Sequence, residues 1–114
     1  MITPGNVKYH VGTCAWSFDA WRNVFYPHRV KASDYLSYYA RFFNAVEIDA
    51  TFQSAPDPKH VSHWKECTPP NFLFACKMPR VISHERRLID CRQEVNRFLA
   101  AIGPLGEKLG IVLL

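Results

Sequence analysis

Apolar and polar positions first alternate at Lys8 to Ala15. Tyr9, Val11 and Thr13 fall on one face there, and His10, Gly12 and Cys14 on the other. The alternation returns at 46–52, where Val46 and Ile48 oppose Glu47 and Asp49. It comes again at Phe72 to Met78, with Phe72, Phe74 and Cys76 facing one way and Leu73, Ala75 and Lys77 the other. Gly110 to Leu114 is apolar throughout. Each run reads as a strand. Between the strands the period changes to that of a helix. Ser33 and Asp34 open a stripe of Tyr35, Leu36, Tyr39, Ala40 and Phe43, which Asn44 can end. Asp57-Pro58 puts a cap and an N1 proline before Val61 and Trp64, and Thr68-Pro69-Pro70 stops that helix. Asp90 and Gln93 resemble a capping box ahead of Val95, Phe98, Leu99 and Ile102, with Gly103-Pro104 as the end.

Four strands alternating with three helices make an α/β chain with a parallel sheet. No glycine-rich phosphate turn follows the first strand, which argues against a dinucleotide fold. Long loops at the strand ends favour a TIM-type barrel instead. A whole barrel takes about 250 residues, and this chain has 114. Residues 1–114 therefore read as the N-terminal part of a single TIM-barrel-like domain, truncated after the fourth strand: a half barrel of parallel βα repeats. Such a piece would expose sheet edges, so marginal stability or self-association through those edges is expected.

Composition changes this picture little. A hydrophobic fraction of 48% suits a globular core, and 14% aromatic residues leave enough to line a pocket. The net charge of +4 is spread along the chain, so nucleic acid is not the first reading, although it leaves room for one. Residues 1–12 carry no apolar leader-like run and no stretch approaches a membrane span, which points to a cytoplasmic protein without a membrane partner. Cys14, Cys67, Cys76 and Cys91 lack metal-site spacing and read as reduced thiols, Cys14 being a weak candidate nucleophile.

The candidate chemistry follows from strand parity. If Gly12 and Cys14, Glu47 and Asp49, and Ala75 and Lys77 all point inward, then Cys14, Glu47, Asp49 and Lys77 converge at the C-terminal mouth, where barrel enzymes keep their sites. Glu47 and Lys77 are expected to pair there, since burial disfavours either charge alone. The loop from Arg80 to Arg87 leaves the same end. Its three arginines and His84 suit an anion, and His84 could also act as a base. Glu47, Lys77 and His84 are thus the catalytic candidates. Asp49 and Arg80 are the ligand contacts, with Trp16, Trp21 and Tyr26 of the aromatic loop 16–31 as pocket walls. Glu47, Asp49 and His84 could take a metal but serve equally well in other roles, so no metal is assigned and the cofactor is unknown.

Several segments resemble the YecE-like proteins, the domain-of-unknown-function 72 family. They are Val11-Gly12-Thr13-Cys14-Ala15-Trp16-Ser17-Phe18 with Trp21 and Phe25-Tyr26-Pro27, then Tyr38 to Ile48, Thr51-Phe52, Phe74 to His84, Arg87-Leu88, and Phe98-Leu99 with Pro104-Leu105-Gly106 and Leu109-Gly110. The resemblance covers nearly all of residues 8–114. It implies a TIM-barrel-like fold akin to sugar isomerases and related metal-using barrels, and it supplies no activity. Departures sit at the mouth: Cys14-Ala15 where Ser-Gly is common, Asp49-Ala50 where Asn-Ser is common, and Gln53 where Tyr is common. The sequence thus supports an enzyme-like barrel for a small polar or anionic ligand, of isomerase, lyase or hydrolase type. A non-catalytic binding or interaction module, nucleic-acid associated or not, and a truncated product without independent activity are the alternatives.

Overall fold

A computed structural model of the chain describes residues 7–114; the reading of residues 1–6 as free of a leader lies outside them. Strand and helix alternate: β1 Gly12–Cys14, α1 Tyr35–Tyr39, β2 Ala45–Ile48, α2 Pro58–Glu66, β3 Leu73–Lys77, α3 Arg92–Ile102 and β4 Leu109–Leu113. The strands form one parallel sheet in the order β1-β2-β3-β4. This is an α/β fold, a TIM-barrel-like run of βα repeats whose sheet is open rather than closed on itself. The molecule is a slab of 46 × 42 × 23 Å, about the thickness of one sheet and one helical layer.

Period-two alternation decides which face is covered. Val46, Ile48, Phe74 and Cys76 point to the helices and are 0–2% exposed. There they meet Tyr35, Leu36 and Tyr39 of α1, Val61 of α2, and Phe98 and Ile102 of α3. Ala45, Glu47, Leu73, Ala75 and Lys77 take the other face and are only half-buried. The apolar character of β4 has a local cause. Leu109 pairs with Phe74 and Ile111 with Ala75, so the register slips at Gly110. That irregularity sends both Leu109 and Val112 to the helical layer, while Ile111 stays on the open face, 56% exposed.

β1 is pinned by contacts from elsewhere in the chain. Tyr39 Oη accepts from Thr13 N at 2.8 Å and donates to Ala45 O at 2.9 Å, joining α1, β1 and β2. Asn44 accepts from Val11 N at 2.7 Å and donates to Tyr9 O at 2.8 Å, in the manner of a neighbouring strand. Gly12 admits no side chain, because a methyl there would overlap the Ala45 carbonyl. Below the sheet, Lys108 is 6% exposed, and its ammonium donates to Lys65 O (2.6 Å), Thr68 O (2.6 Å) and Thr68 Oγ1 (3.0 Å), satisfying the C-terminal end of α2.

Several expected elements are revised. Ordered pairing in the first strand covers Gly12–Cys14 only; Lys8 to Val11 runs beside Asn44 without joining the sheet. Ser33 and Asp34 lie in a 3-10 turn, Ala32–Asp34, and neither side chain caps α1, which is one and a half turns long. Asp57 does cap α2, accepting from Lys59 N at 2.9 Å beside Pro58 at N1. The box expected at Asp90 and Gln93 does not form: Asp90 sits at φ 47° and Cys91 takes the N-cap with no side-chain bond. α3 buries Phe98, Ala101 and Ile102, leaving Leu99 45% exposed. The charged loop after β3 is not featureless, since Val81–Glu85 forms a single π-helical turn anchored by Ile82, which is 0% exposed.

Candidate functional site

At the C-terminal ends of the strands the open face turns polar. Cys14 of β1 lies opposite Glu47 of β2, and its thiol donates to Glu47 Oε2 at 3.2 Å. Asp49 follows β2 in a helical conformation (φ −77°, ψ −26°), which ends the strand and starts the turn Ala50–Phe52. Its carboxylate stays with the other two groups: the Cys14 sulfur and the Glu47 and Asp49 oxygens all lie within 4.8 Å of one another. One thiol and two carboxylates are a donor set that a borderline divalent cation can use. The set shares Glu47 and Asp49 with the trio considered from sequence, but its third member is Cys14 and not His84. Glu47 also governs the thiol. Its hydrogen bond first, and its negative charge second, hold the Cys14 pKa above the ordinary thiol value, so the sulfur stays protonated and is a poor nucleophile at neutral pH.

Lys77 shares the open face with Glu47, yet the expected ion pair does not form. Across β2 and β3, Glu47 pairs with Ala75, and Lys77 stands two positions, roughly 6.6 Å, further along. Among the described residues no contact within 4.0 Å joins the two charges. The ammonium instead lies 4.6 Å from the centre of the Phe52 ring. His84 meets the same ring edge to face at 5.1 Å, and its Nδ1 is 2.8 Å from Ser83 Oγ. Phe52 therefore gathers Lys77 and His84, while Glu47 gathers Cys14 and Asp49. Thr51 joins the strand ends beneath them. The residue is 1% exposed, and its hydroxyl lies 2.9 Å from Ile48 O and 2.6 Å from Lys77 O and can donate to either. A shallow hollow of about 270 Å³ opens beside Glu47, floored by Gly12, Thr13, Ala45 and Ala75.

The remaining candidates are placed elsewhere. Arg80 is exposed, with Nε 3.8 Å from Glu85, and Arg86 lies 3.3 Å from Glu94, so two of the three arginines expected to claim an anion already face carboxylates. Tyr26 is core, not wall. It stacks on Tyr35 at 3.9 Å, is 1% exposed and donates its hydroxyl to the Trp16 carbonyl, and burial pushes its pKa well up. Trp21 packs against Phe18, Phe25 and Tyr26 in the same aromatic layer beside α1. Trp16 alone of the three reaches the strand ends, where it meets Trp64 of α2 edge to face at 5.6 Å. Sequence reasoning passed over Phe52, Thr51 and Trp64 as site-shaping residues. The first two directly follow the carboxylate strand, and that position was the available signal.

Comparisons with known proteins agree on kinship. The family described as "Protein of unknown function DUF72" matches residues 10–114. Two curated relatives, the UPF0759 protein YecE of Escherichia coli K12 and that of Escherichia coli O157:H7, are each 34% identical over 101 residues, 89% of this chain. The chain spans only about a third of their length, 35%. Among solved structures, two crystal structures of a DUF72 family protein from Enterococcus faecalis V583 superpose with TM-scores of 0.56 and 0.57, at 29% and 28% identity. They cover 69% and 67% of this chain and 33% and 29% of theirs.

Proposed function

The chain belongs to the DUF72 family, and from that premise we propose that it binds and transforms a small polar ligand at the C-terminal mouth of its sheet. One observation carries this reading: the donor atoms of Cys14, Glu47 and Asp49 converge within 4.8 Å on the open face, at the strand ends where parallel α/β folds place their sites. Convergence of two carboxylates is electrostatically unfavourable without a cation, a proton or a ligand donor between them. A ligand rich in hydroxyl groups supplies such donors. Glu47 is the acid–base group in this account, since it is half-buried, already accepts a proton donor and borders the hollow over Ala45 and Ala75. Asp49 orients the ligand, and Lys77, carried on Phe52, offers positive charge to an oxygen that gains negative charge. His84 lies behind Phe52 as a second proton carrier, and Arg80 at the rim. Proton transfer beside a polar carbon is common to isomerase, lyase and hydrolase chemistry.

The test is a ligand-observed NMR screen of aldoses, ketoses, polyols and their phosphates against the chain, followed by Glu47→Gln and Asp49→Asn. The expected result is a polyhydroxylated ligand whose binding weakens in Asp49→Asn, and whose turnover falls about 10²–10⁴-fold in Glu47→Gln with binding largely kept. No hit from the panel, or a hit indifferent to both substitutions, overturns the reading.

A further inference from the structure

Beside the C-terminal ends of β1 and β2 the chain builds a second concavity with different chemistry. Trp16, at the start of the first loop, and Trp64, on α2, meet at an interplanar angle of 77° and so form a corner rather than a stack. With Ala15, Ser17, Ile48, Asp49 and Ala50 they line an open concavity of about 230 Å³. The walls are almost entirely apolar, and Trp64 is backed by Phe74 at 6.4 Å, so the corner rests on the core. Asp49 is the charged residue of the lining. Asp49 is exposed and, among the described residues, no cationic side chain lies within 4.0 Å of its carboxylate. Glu47 does not line the corner, but its carboxylate lies within 4.8 Å of that of Asp49 and adds a second negative charge nearby.

We infer that this corner is a subsite for a small organic cation, with an alkylated ammonium group against the indoles of Trp16 and Trp64 and its charge answered by Asp49. Three considerations select this class. Indole is the best of the aromatic side chains for a cation, and a bulky alkylammonium sheds its weak hydration readily against it. The two nearby carboxylates repel anions, which disfavours a phosphate or carboxylate group in this corner. The volume is below that of drug-sized ligand pockets, so it suits a headgroup and not a whole aromatic ligand. The subsite stands on the indoles and Asp49, and does not require Glu47 to act as a base.

Tetramethylammonium is the probe, with 2,2-dimethylpropan-1-ol as a neutral counterpart of similar shape and sodium chloride as the ionic-strength control. Two of the three tryptophans, Trp16 and Trp64, line the corner, so intrinsic fluorescence reads occupancy, and saturation transfer from the indole protons to the probe methyls gives an independent readout. Saturable binding of tetramethylammonium, at least tenfold tighter than the neutral counterpart, is expected. Asp49→Asn, an exposed change without structural cost, should weaken it about tenfold, and Trp64→Leu should weaken it more than Glu47→Gln does. Equal binding of the neutral compound, no saturable response, or a loss confined to Glu47→Gln would overturn the assignment. Failure of the sugar screen with retention of cation binding would remove the acid–base reading and leave this one standing.

Discussion

The two faces of this sheet are made of the same four strands and obey different rules. On the helical face Val46, Ile48, Phe74 and Cys76 interlock with helices and aromatic loop residues, and burial alone pushes the Cys76 thiol up to about 11. On the open face Ala45, Leu73, Ala75 and Ile111 accompany Glu47 and Lys77, and all of them are half-buried or exposed. The lesson is a division of labour: one face holds the fold together, and the other presents functional groups that contribute little to stability. Removing side chains from each face should separate the two.

The largest effect is expected from Phe74→Ala. The ring is fully buried between Phe72 and Trp64, and its loss should cost about 3–5 kcal/mol in urea unfolding. A cost under about 1 kcal/mol would mean the helical face is not the stabilising one. Asp57→Ala removes the cap of α2, in the helical layer, and should cost about 1 kcal/mol by the same measurement. At the mouth, Ala15 follows β1 at φ 72°, the left-handed region that suits glycine. Ala15→Gly should therefore stabilise the chain by roughly 0.5–1 kcal/mol. Destabilisation would show that the methyl has a packing role. The smallest effect belongs to Glu47→Gln, which should shift stability by less than about 0.5 kcal/mol, because the site contributes little to the fold.

What could be read from the residues follows the same division. Alternation at 72–78 gave the parity of β3 because burial on one side selects it strongly, and Asp57-Pro58 gave a helix start because both residues act within their own turn. The site was legible as far as Glu47 and Asp49 sharing an end. The Glu47–Lys77 pairing failed because inter-strand register is a tertiary property; a stagger of two positions sends the ammonium to Phe52. Asp90 and Gln93 had the spacing of a capping box, but the left-handed backbone at Arg87, Leu88 and Asp90 directs the chain otherwise. Tyr26 and Trp21 looked like pocket walls because an aromatic loop and an aromatic core have the same composition; only packing on Tyr35 and Phe25 distinguishes them. The departure at Ala15 likewise gained meaning only with its backbone angle.

The central claim is that Cys14 and Glu47 form one electrostatic unit at the mouth. The direct test is the pH dependence of Cys14 alkylation by iodoacetamide, read peptide by peptide by mass spectrometry in the parent chain and in Glu47→Gln. Glu47 favours the protonated thiol by accepting its hydrogen bond and by its charge, so Cys14 should titrate above the ordinary thiol range in the parent. The substitution removes the charge, so the titration midpoint should fall and alkylation at a given pH below it should quicken. Identical midpoints in the two proteins would show that Cys14 and Glu47 do not interact, and would contradict the account of the site.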